Sequence, residues 1–432
     1  MIKKWNWTLR IKKSEFWILL FILAAIEIDS LPYIMPSSIA TFFNFYLPVS
    51  VCIIFAIGLV LRKRVSNIFL LVCVYFVFFL GTTLYKNSVN VFFAIRQIAP
   101  LMAITILTEF YMKNYRKSFI QAVYVVLFIL IIMDILSIIM YPEGLYSTEL
   151  YTTNWFLGYK TARVRLATLP IIMFAGIHSI DKYNKLNIWF WISSILALVD
   201  TFLSQNTGGV VTIIVMLIML FLLYFINNDK IRFLFARLLN PKILFIIVLI
   251  LTVVINLVQN VKIFEPIVVG LFNKDITFTN RTMIWASSLE IFQKSPFIGN
   301  GYILNNTFGE LIGSAYATQA HSLFLSVLVY TGIIGMIIFL FLLYKTLTYV
   351  DLKNRRSTSI ICATYIICIL IQGIVSIHLF TQFFYSSMIM LYYLREPNNV
   401  VTNNRKSSNL INKKRTIKSE FIPNKQRGKD KL

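Results

Sequence analysis

The chain has 432 residues, of which 58% are hydrophobic and 14% are charged, and its mean hydropathy is +0.74. One soluble core cannot bury that much apolar surface, so the composition excludes a soluble globular protein and predicts a chain that uses the lipid bilayer as its solvent. The net charge of +23 sits in loop clusters and in a tail, with no basic face interleaved with aromatic residues, so nucleic-acid binding is not expected.

Long apolar runs predict about twelve membrane-spanning helices. The runs are continuous rather than alternating, which is typical of helices and not of a membrane β-barrel. The predicted fold class is therefore all-α, a polytopic integral membrane helical bundle with a large extracytoplasmic loop that contains short helices. The predicted spans lie near residues 15–31, 40–61, 67–84, 90–111, 118–140, 163–180, 188–204, 209–226, 242–263, 320–344, 358–379 and 381–395.

Clusters of Lys and Arg occur in every second predicted loop, for example at Arg62–Arg64 and Lys113–Lys117. Because such clusters resist translocation, they predict that both termini are cytoplasmic in a multi-pass protein of the plasma membrane. Residues 1–395 form the predicted transmembrane domain, and the basic segment 396–432 has the composition of a disordered cytoplasmic tail. The four cysteines all lie within predicted spans, so no disulfide is expected.

Two predicted outer segments are longer than simple helix connections, and loops of such length commonly carry function. In the second, Thr279 and Asn280 can cap a helix that begins near Arg281 and continues through Ser295, before Pro296. Polar residues are therefore concentrated outside the spans, where they carry most of the functional information. The two segments are residues 141–161 and 264–319.

His321 follows the second outer segment and precedes an apolar helix, so it is expected near the outer membrane surface. Histidine can exchange a proton near neutral pH without a large change in pKa, which makes His321 a candidate catalytic base. The alternative is a polar residue that anchors the start of a helix.

Four arginines are candidates for binding an anionic substrate group. Arg281, Arg163 and Arg165 fall on the outer side, which should be poor in cations, and Arg96 lies within the fourth predicted span. The planar guanidinium group suits phosphate or pyrophosphate. The alternative for Arg163 and Arg165 is snorkelling at the membrane surface.

For Arg96, a buried ion pair with Asp134 or Asp200 is the structural alternative to substrate binding. The outer segments contain no metal-binding cluster, no nucleotide-binding glycine loop and no Ser/His/Asp signature. No metal and no cofactor are therefore expected, and the substrate of any reaction should arrive in the membrane already activated.

The order and spacing of these motifs resemble the O-antigen ligase/Wzy-type polysaccharide polymerase family. In that family an arginine opens the large outer loop, and an alanine-histidine pair closes it. The residues that carry the resemblance are Arg281 with Trp285, Ser295 to Gly301, Ala320-His321-Ser322 and Tyr330 to Gly335. The chain departs from the family at Ser204-Gln205-Asn206, where a Ser-Arg or Ser-Lys pair is common, and at Ser322, where Asn is usual.

The resemblance implies a membrane glycosyltransferase-type enzyme that polymerises repeat units carried on polyprenyl pyrophosphate into a capsule or O-antigen. His321 and Arg281 would be catalytic, and Arg163, Arg165 and Arg96 would bind the pyrophosphate. Its partners would be the lipid-linked donor and acceptor, membrane lipids, and a chain-length regulator and a flippase. Aromatic residues of the outer segments, such as Tyr146, Tyr151 and Trp155, could stack on sugars or belong to the interfacial aromatic belt.

Three other functions remain open at this point. A ligase would transfer finished polymer to another acceptor, whereas a lipid-linked oligosaccharide flippase would place polar residues deep in several helices. An accessory membrane subunit would need none of these residues. The Lys-, Asn- and Ile-rich composition is typical of an AT-rich genome, and in an organism without an outer membrane it would favour the polymerase.

Overall fold

The computed structural model describes residues 13–62, 65–148, 151, 153–224, 229–257, 281–313, 317–352, 357–376 and 379–395, and all of its regular structure is helical. The all-α prediction is confirmed for this part of the chain. The predicted tail, 396–432, lies outside the described residues. The helices are α1 (Lys13–Ala25), α2 (Leu31–Ile34), α3 (Ser37–Thr41), α4 (Leu47–Arg62), α5 (Asn67–Lys86), α6 (Val91–Met140), α7 (Lys160–Arg163), α8 (Leu169–Tyr183), α9 (Ile188–Leu203), α10 (Thr207–Tyr224), α11 (Asp229–Leu238), α12 (Pro241–Thr252), α13 (Arg281–Gln293), α14 (Asn305–Ile312), α15 (Leu323–Leu347), α16 (Thr358–Gln372) and α17 (Gln382–Arg395).

The described helices account for a polytopic membrane protein. Six helical stretches within the described ranges have the length and composition to cross a membrane, and four apolar stretches are shorter. Each predicted span has a helical counterpart, although the first helix ends at Ala25 rather than near residue 31, which leaves Glu27 and Asp29 in the connection to α2. The number of crossings, about twelve, stays a prediction.

Two predicted spans join in α6, which runs from Val91 to Met140 and breaks at Tyr115. An unbroken helix of that length would be about 75 Å long, more than twice the thickness of the hydrocarbon core. The break turns the second half back. Arg116, beside the break, pairs with Asp181 at 2.6 Å at one end of the bundle, and Asp134 pairs with Arg163 at the other end.

Helices α16 and α17 lie at the centre of the bundle, because nearly every side chain in both is buried. Each outer helix packs one face against the rest of the bundle. The other face exposes apolar residues such as Val77 and Phe202, which lipid would cover. Buried polar side chains form hydrogen bonds between helices. Glu109, for example, accepts hydrogen bonds from the backbone and hydroxyl of Ser66, both at 2.7 Å, and from Tyr393.

The segment 296–301, which follows α13, is inserted into a break in α15. At Gly332 the backbone has φ 63° and ψ −164°, so the helical hydrogen-bond ladder is interrupted there. The carbonyls of Val329 and Tyr330 accept from the amides of Asn300 (2.8 Å) and Gly301 (3.0 Å). In return, the amides of Ile333 and Ile334 donate to the carbonyls of Pro296 (2.8 Å) and Phe297 (3.0 Å).

Four backbone groups beside the break therefore find partners in the inserted segment, which is what buried backbone groups require. The side chain of Asn300 adds a bond of 2.9 Å to the carbonyl of Ile291, in α13. We refer to residues 296–301, together with the break at Gly332, as the clamp. It fixes α13, which begins at Arg281, against α15, which follows His321.

The clamp predicts a large stability loss for Gly332→Ala. A Cβ at this position would overlap the backbone of Phe297 and Gly299, and the positive φ strains any other residue. The expected loss is at least about 2 kcal/mol, measured by thermal unfolding of the detergent-purified protein. Gly81→Ala is the matched control, because nothing lies within 4 Å of its new Cβ; equal unfolding temperatures for the two variants would contradict the prediction.

Candidate functional site

His321 lies in a strained and firmly anchored turn at the start of α15. Its φ of 46° is left-handed, which costs a residue other than glycine roughly 1–2 kcal/mol. The next residue, Ser322, accepts a hydrogen bond of 2.6 Å from Asn256, which also donates to the carbonyl of Ile374. The backbone of Leu323 donates to Gly373 at 2.7 Å. The hydrogen bonds of Ser322 and Leu323 thus hold the backbone of His321 in a conformation that is unfavourable for an isolated chain.

Arg281 lies close enough to His321 to affect its titration. Burial, and then the positive charge of Arg281, lower the pKa of His321 from 6.5 to about 4. The imidazole is therefore neutral at pH 7 and has a nitrogen lone pair available to accept a proton. Burial also lowers the pKa of Arg281, but the guanidinium group remains charged at neutral pH.

The two outer segments meet at Arg281. Tyr151 and Tyr159 stack with ring centroids 3.7 Å apart, and Arg281 is close enough to lower the pKa of both phenols against the larger effect of burial, which raises it. Beside the stacked rings lies a cavity of about 520 Å³ with aromatic and polar walls. It is lined by Pro142, Glu143, Tyr151, Thr153, Trp155, Tyr159, Lys160, Leu203, Ser204 and Gln205.

Arg165 and Arg96 belong to the same region. The charge of Arg165 lowers the pKa of Tyr151, and the charges of both arginines lower the pKa of Glu27. Burial and the nearby Asp29 raise the pKa of Glu27 to about 8 despite the two arginines, which lower it. Glu27 thus lies near both arginines and Asp29 lies near Arg165, and the sequence interpretation placed neither acidic residue in the site.

Arg163 occupies a different environment from the other arginines. Its side chain is fully buried, with a guanidinium nitrogen 2.9 Å from Asp134 and 3.6 Å from Asp200. It also donates to the carbonyl of Gly158 at 3.1 Å and lies over the ring of Trp155. The buried pair considered for Arg96 is therefore made by Arg163, and it joins α6, α9 and the turn that precedes α7.

Among the described residues, no carboxylate lies within ion-pair distance of Arg281. In the same part of the chain, no three His, Cys, Asp or Glu side chains come together in a way that could hold a metal ion. The predicted residues therefore form three groups. His321 and Arg281 lie near each other, Arg165 and Arg96 lie near Glu27, and Arg163 is in a buried ion pair.

Three residues of this region were not predicted from the sequence. Asn256 lies at the end of a hydrophobic run and gave no signal, since its role depends on a contact with Ser322, 66 residues away. Glu27 and Asp29 did carry a signal: two acidic residues interrupt an apolar run at the end where outer-side arginines were expected. That juxtaposition could have been noticed.

The geometry can support a reaction that needs a base and a cation together. A neutral imidazole can take a proton from a hydroxyl group, and a nearby guanidinium without a carboxylate partner can stabilise a departing anion. Hydroxyl-bearing substrates could enter through two polar cavities, one of about 520 Å³ that Tyr151 lines and one of about 170 Å³ that Arg165 lines.

Parts of the chain are similar to known proteins. Residues 192–340 match the family model described as O-Antigen ligase. The "Exopolysaccharide production protein ExoQ" of Rhizobium meliloti (strain 1021) is 34% identical over 82 residues, which cover 17% of this chain and 19% of the relative. This chain therefore matches about a fifth of the length of that curated relative.

The matched segment 192–340 contains Arg281, His321 and the clamp, whereas Arg96, Arg163 and Arg165 precede it. The resemblance that the sequence motifs indicate is confirmed by these matches. The protein is a multi-pass membrane protein, and the part of it that contains Arg281 and His321 is similar to the O-antigen ligase family model.

The buried ion pairs predict that Arg163→Gln destabilises the protein by about 3–5 kcal/mol, because two buried carboxylates lose their cation. Adding Asp200→Asn should restore part of that stability. Asp200 is the farther partner of Arg163, whereas Asp134 also accepts a backbone bond from Leu157 and should be kept. Thermal unfolding of the purified variants measures both effects. A variant Arg163→Gln with wild-type stability but no activity would instead indicate direct binding of substrate.

Proposed function

We propose that this protein, whose residues 192–340 match the O-antigen ligase family model, polymerises oligosaccharide repeat units carried on polyprenyl pyrophosphate at the outer face of the plasma membrane. Both termini would lie in the cytoplasm. The observation that supports the proposal most strongly is the neutral His321 beside Arg281, since Arg281 has no carboxylate partner among the described residues.

In the proposed reaction, a nitrogen of His321 takes the proton from a hydroxyl group of the acceptor sugar. The hydroxyl oxygen attacks the anomeric carbon of the donor, the bond from that carbon to the pyrophosphate oxygen breaks, and the oxygen keeps the electron pair. Arg281 stabilises the negative charge that grows on the pyrophosphate. As that anion offsets the charge of Arg281, the pKa of His321 should rise from about 4, which makes the imidazole a better base when substrate is bound.

The roles of the remaining arginines follow from their surroundings. Arg165 and Arg96 lie near the donor's expected position but also near Glu27, so their contribution to pyrophosphate binding should be smaller than that of Arg281. Arg163 acts as a positioning residue: it holds the turn at Gly158 through a hydrogen bond, and it does not touch substrate.

Polymerisation is preferred over ligase-type transfer on two grounds. The similar protein from Rhizobium meliloti carries the name of an exopolysaccharide production protein, and the composition of this chain is typical of an AT-rich genome. A flippase is less consistent with the site, because the histidine-arginine pair lies beside the short helices of the outer loop instead of deep among several spans. A separate flippase and a chain-length regulator are the proposed partners.

The proposal predicts that His321→Asn collapses the ladder of surface polysaccharide to single repeat units. Asparagine tolerates the left-handed conformation but supplies no basic nitrogen, so the fold should survive while the rate falls about 10²–10⁴-fold. Gel electrophoresis of polysaccharide from cells with matched membrane levels measures the ladder. His178→Asn is the control, because His178 stacks on Tyr124 and lies outside the site.

A normal ladder from His321→Asn would contradict the proposed base. Full-length polymer that stays on its lipid carrier would assign the protein as a ligase, and repeat units trapped on the inner leaflet would assign it as a flippase.

A further inference from the structure

A second cavity, of about 170 Å³, lies beside the histidine-arginine pair. Gln319, which lines it, is two residues before His321. Arg165 also lines it, and its charge lowers the pKa of Tyr151 in the outer segment. Phe380 supplies an apolar wall and packs edge-on against Tyr302. The cavity is thus next to the proposed base but separate from the 520 Å³ cavity beside Tyr159.

Three polar atoms on the walls of this cavity lack hydrogen-bond partners. They are the side-chain oxygens of Gln319, Thr381 and Gln382. Thr381 is only 2% exposed and Gln382 is 7% exposed, and each unmet buried polar group costs roughly 1–3 kcal/mol. Three such groups on one cavity indicate a site that is completed by a ligand with several hydrogen-bonding groups.

The remaining walls define the chemistry of that ligand. Gln97 adds a third side-chain amide, while Glu27 and Asp29 add two carboxyl groups near Arg165. Because the pKa of Glu27 is raised to about 8, its carboxyl group is largely protonated at pH 7 and can donate as well as accept a hydrogen bond. Amides, a hydroxyl group and carboxyl groups together can bond to a neutral ligand that both donates and accepts at several positions, as the hydroxyl groups of a sugar do.

We propose that this cavity binds one sugar ring of the acceptor saccharide through its hydroxyl groups, with Gln319, Thr381 and Gln382 as the main contacts. This inference rests on the proposed function and deepens it: the pyrophosphate is held at Arg281, and the acceptor sugar is held on the carboxylate-bearing side of His321. The ring presents a hydroxyl group to the imidazole, while its C–H face packs on Phe380.

The test uses the repeat-unit oligosaccharide of the host polysaccharide, released from its lipid by mild acid, so that it carries neither pyrophosphate nor polyprenyl chain. The full-length protein is purified in detergent, and its unfolding temperature is followed as the saccharide is added. A ligand that binds only the folded state raises that temperature in proportion to its occupancy. The wild type is expected to show a saturable rise.

Two variants remove the unmet groups while they preserve the side-chain shape: Thr381→Val and Gln382→Leu. Each is expected to unfold at the wild-type temperature or above it without saccharide, because a buried unpaired group is removed. Each should need at least tenfold more saccharide to reach the same rise. Loss of stability without saccharide would overturn the proposal, since it would give these side chains a purely structural role.

Gln372→Leu is the matched control. Gln372 has the same 7% exposure and an unpartnered side-chain oxygen, but it does not line the cavity. It should keep the wild-type response to saccharide. Equal responses in Gln372→Leu, Thr381→Val and Gln382→Leu, or no response in the wild type, would overturn the proposal.

The binding test and the proposed function can fail separately. His321→Asn should still bind the released saccharide, since the imidazole is needed for proton transfer and not for this binding site. A wild type that binds saccharide, together with an unchanged polysaccharide ladder from His321→Asn, would leave the sugar site standing and reject the catalytic proposal.

Discussion

The exchange of backbone hydrogen bonds at the clamp holds the candidate site together. A helix that breaks in a membrane protein must satisfy the backbone groups that it releases, because no water is available in the hydrocarbon core to do so. In α15 the segment 296–301 meets this requirement with four backbone bonds, all between 2.8 and 3.0 Å. The same bonds fix the position of α13, so one structural necessity also sets the relation between Arg281 and His321.

This arrangement changes the meaning of the glycine-rich motif. Gly299 and Gly332 permit two backbone segments to approach closely. A Cβ on Gly299 would overlap the backbone of Tyr330 and Thr331, and a Cβ on Gly332 would overlap the backbone of Phe297 and Gly299. Gly301 similarly packs on the backbone of Thr83, in α5. The motif therefore builds the scaffold that positions the residues at its two ends.

Charge pairing separates arginines that look equivalent in the sequence. Arg163 and Arg165 are two residues apart, yet the first is fully buried between Asp134 and Asp200, while the second lines a polar cavity with Glu27 and Asp29. A buried ion pair is costly to break and poorly suited to release its cation to a ligand. The outer end of the bundle thus uses one arginine for architecture and leaves Arg281 without a carboxylate partner among the described residues.

Much of this could be predicted from the sequence, and the failures have physical causes. Continuous apolar runs predicted the helices, and polar spacing predicted the helix that begins at Arg281, because these signals are local. The catalytic role of His321 stays a prediction. Contacts between residues that are distant in the sequence give no local signal. Arg163 contacts Asp134 and Asp200 only after three helices pack, and Asn256 donates to Ser322, 66 residues away. Periodicity identifies which segments are helices, but it does not reveal which buried charges will become neighbours.

If Arg281 and His321 act in one site, the charge of Arg281 must affect the titration of His321. Diethyl pyrocarbonate modifies the neutral imidazole, so the pH dependence of modification, resolved by mass spectrometry among the three histidines, gives the pKa of each. The account predicts a pKa of about 4 for His321 in the wild type. In Arg281→Gln the pKa should rise towards 6.5 without reaching it, because burial remains. An unchanged pKa in Arg281→Gln, or a wild-type value near 6.5, would contradict the account.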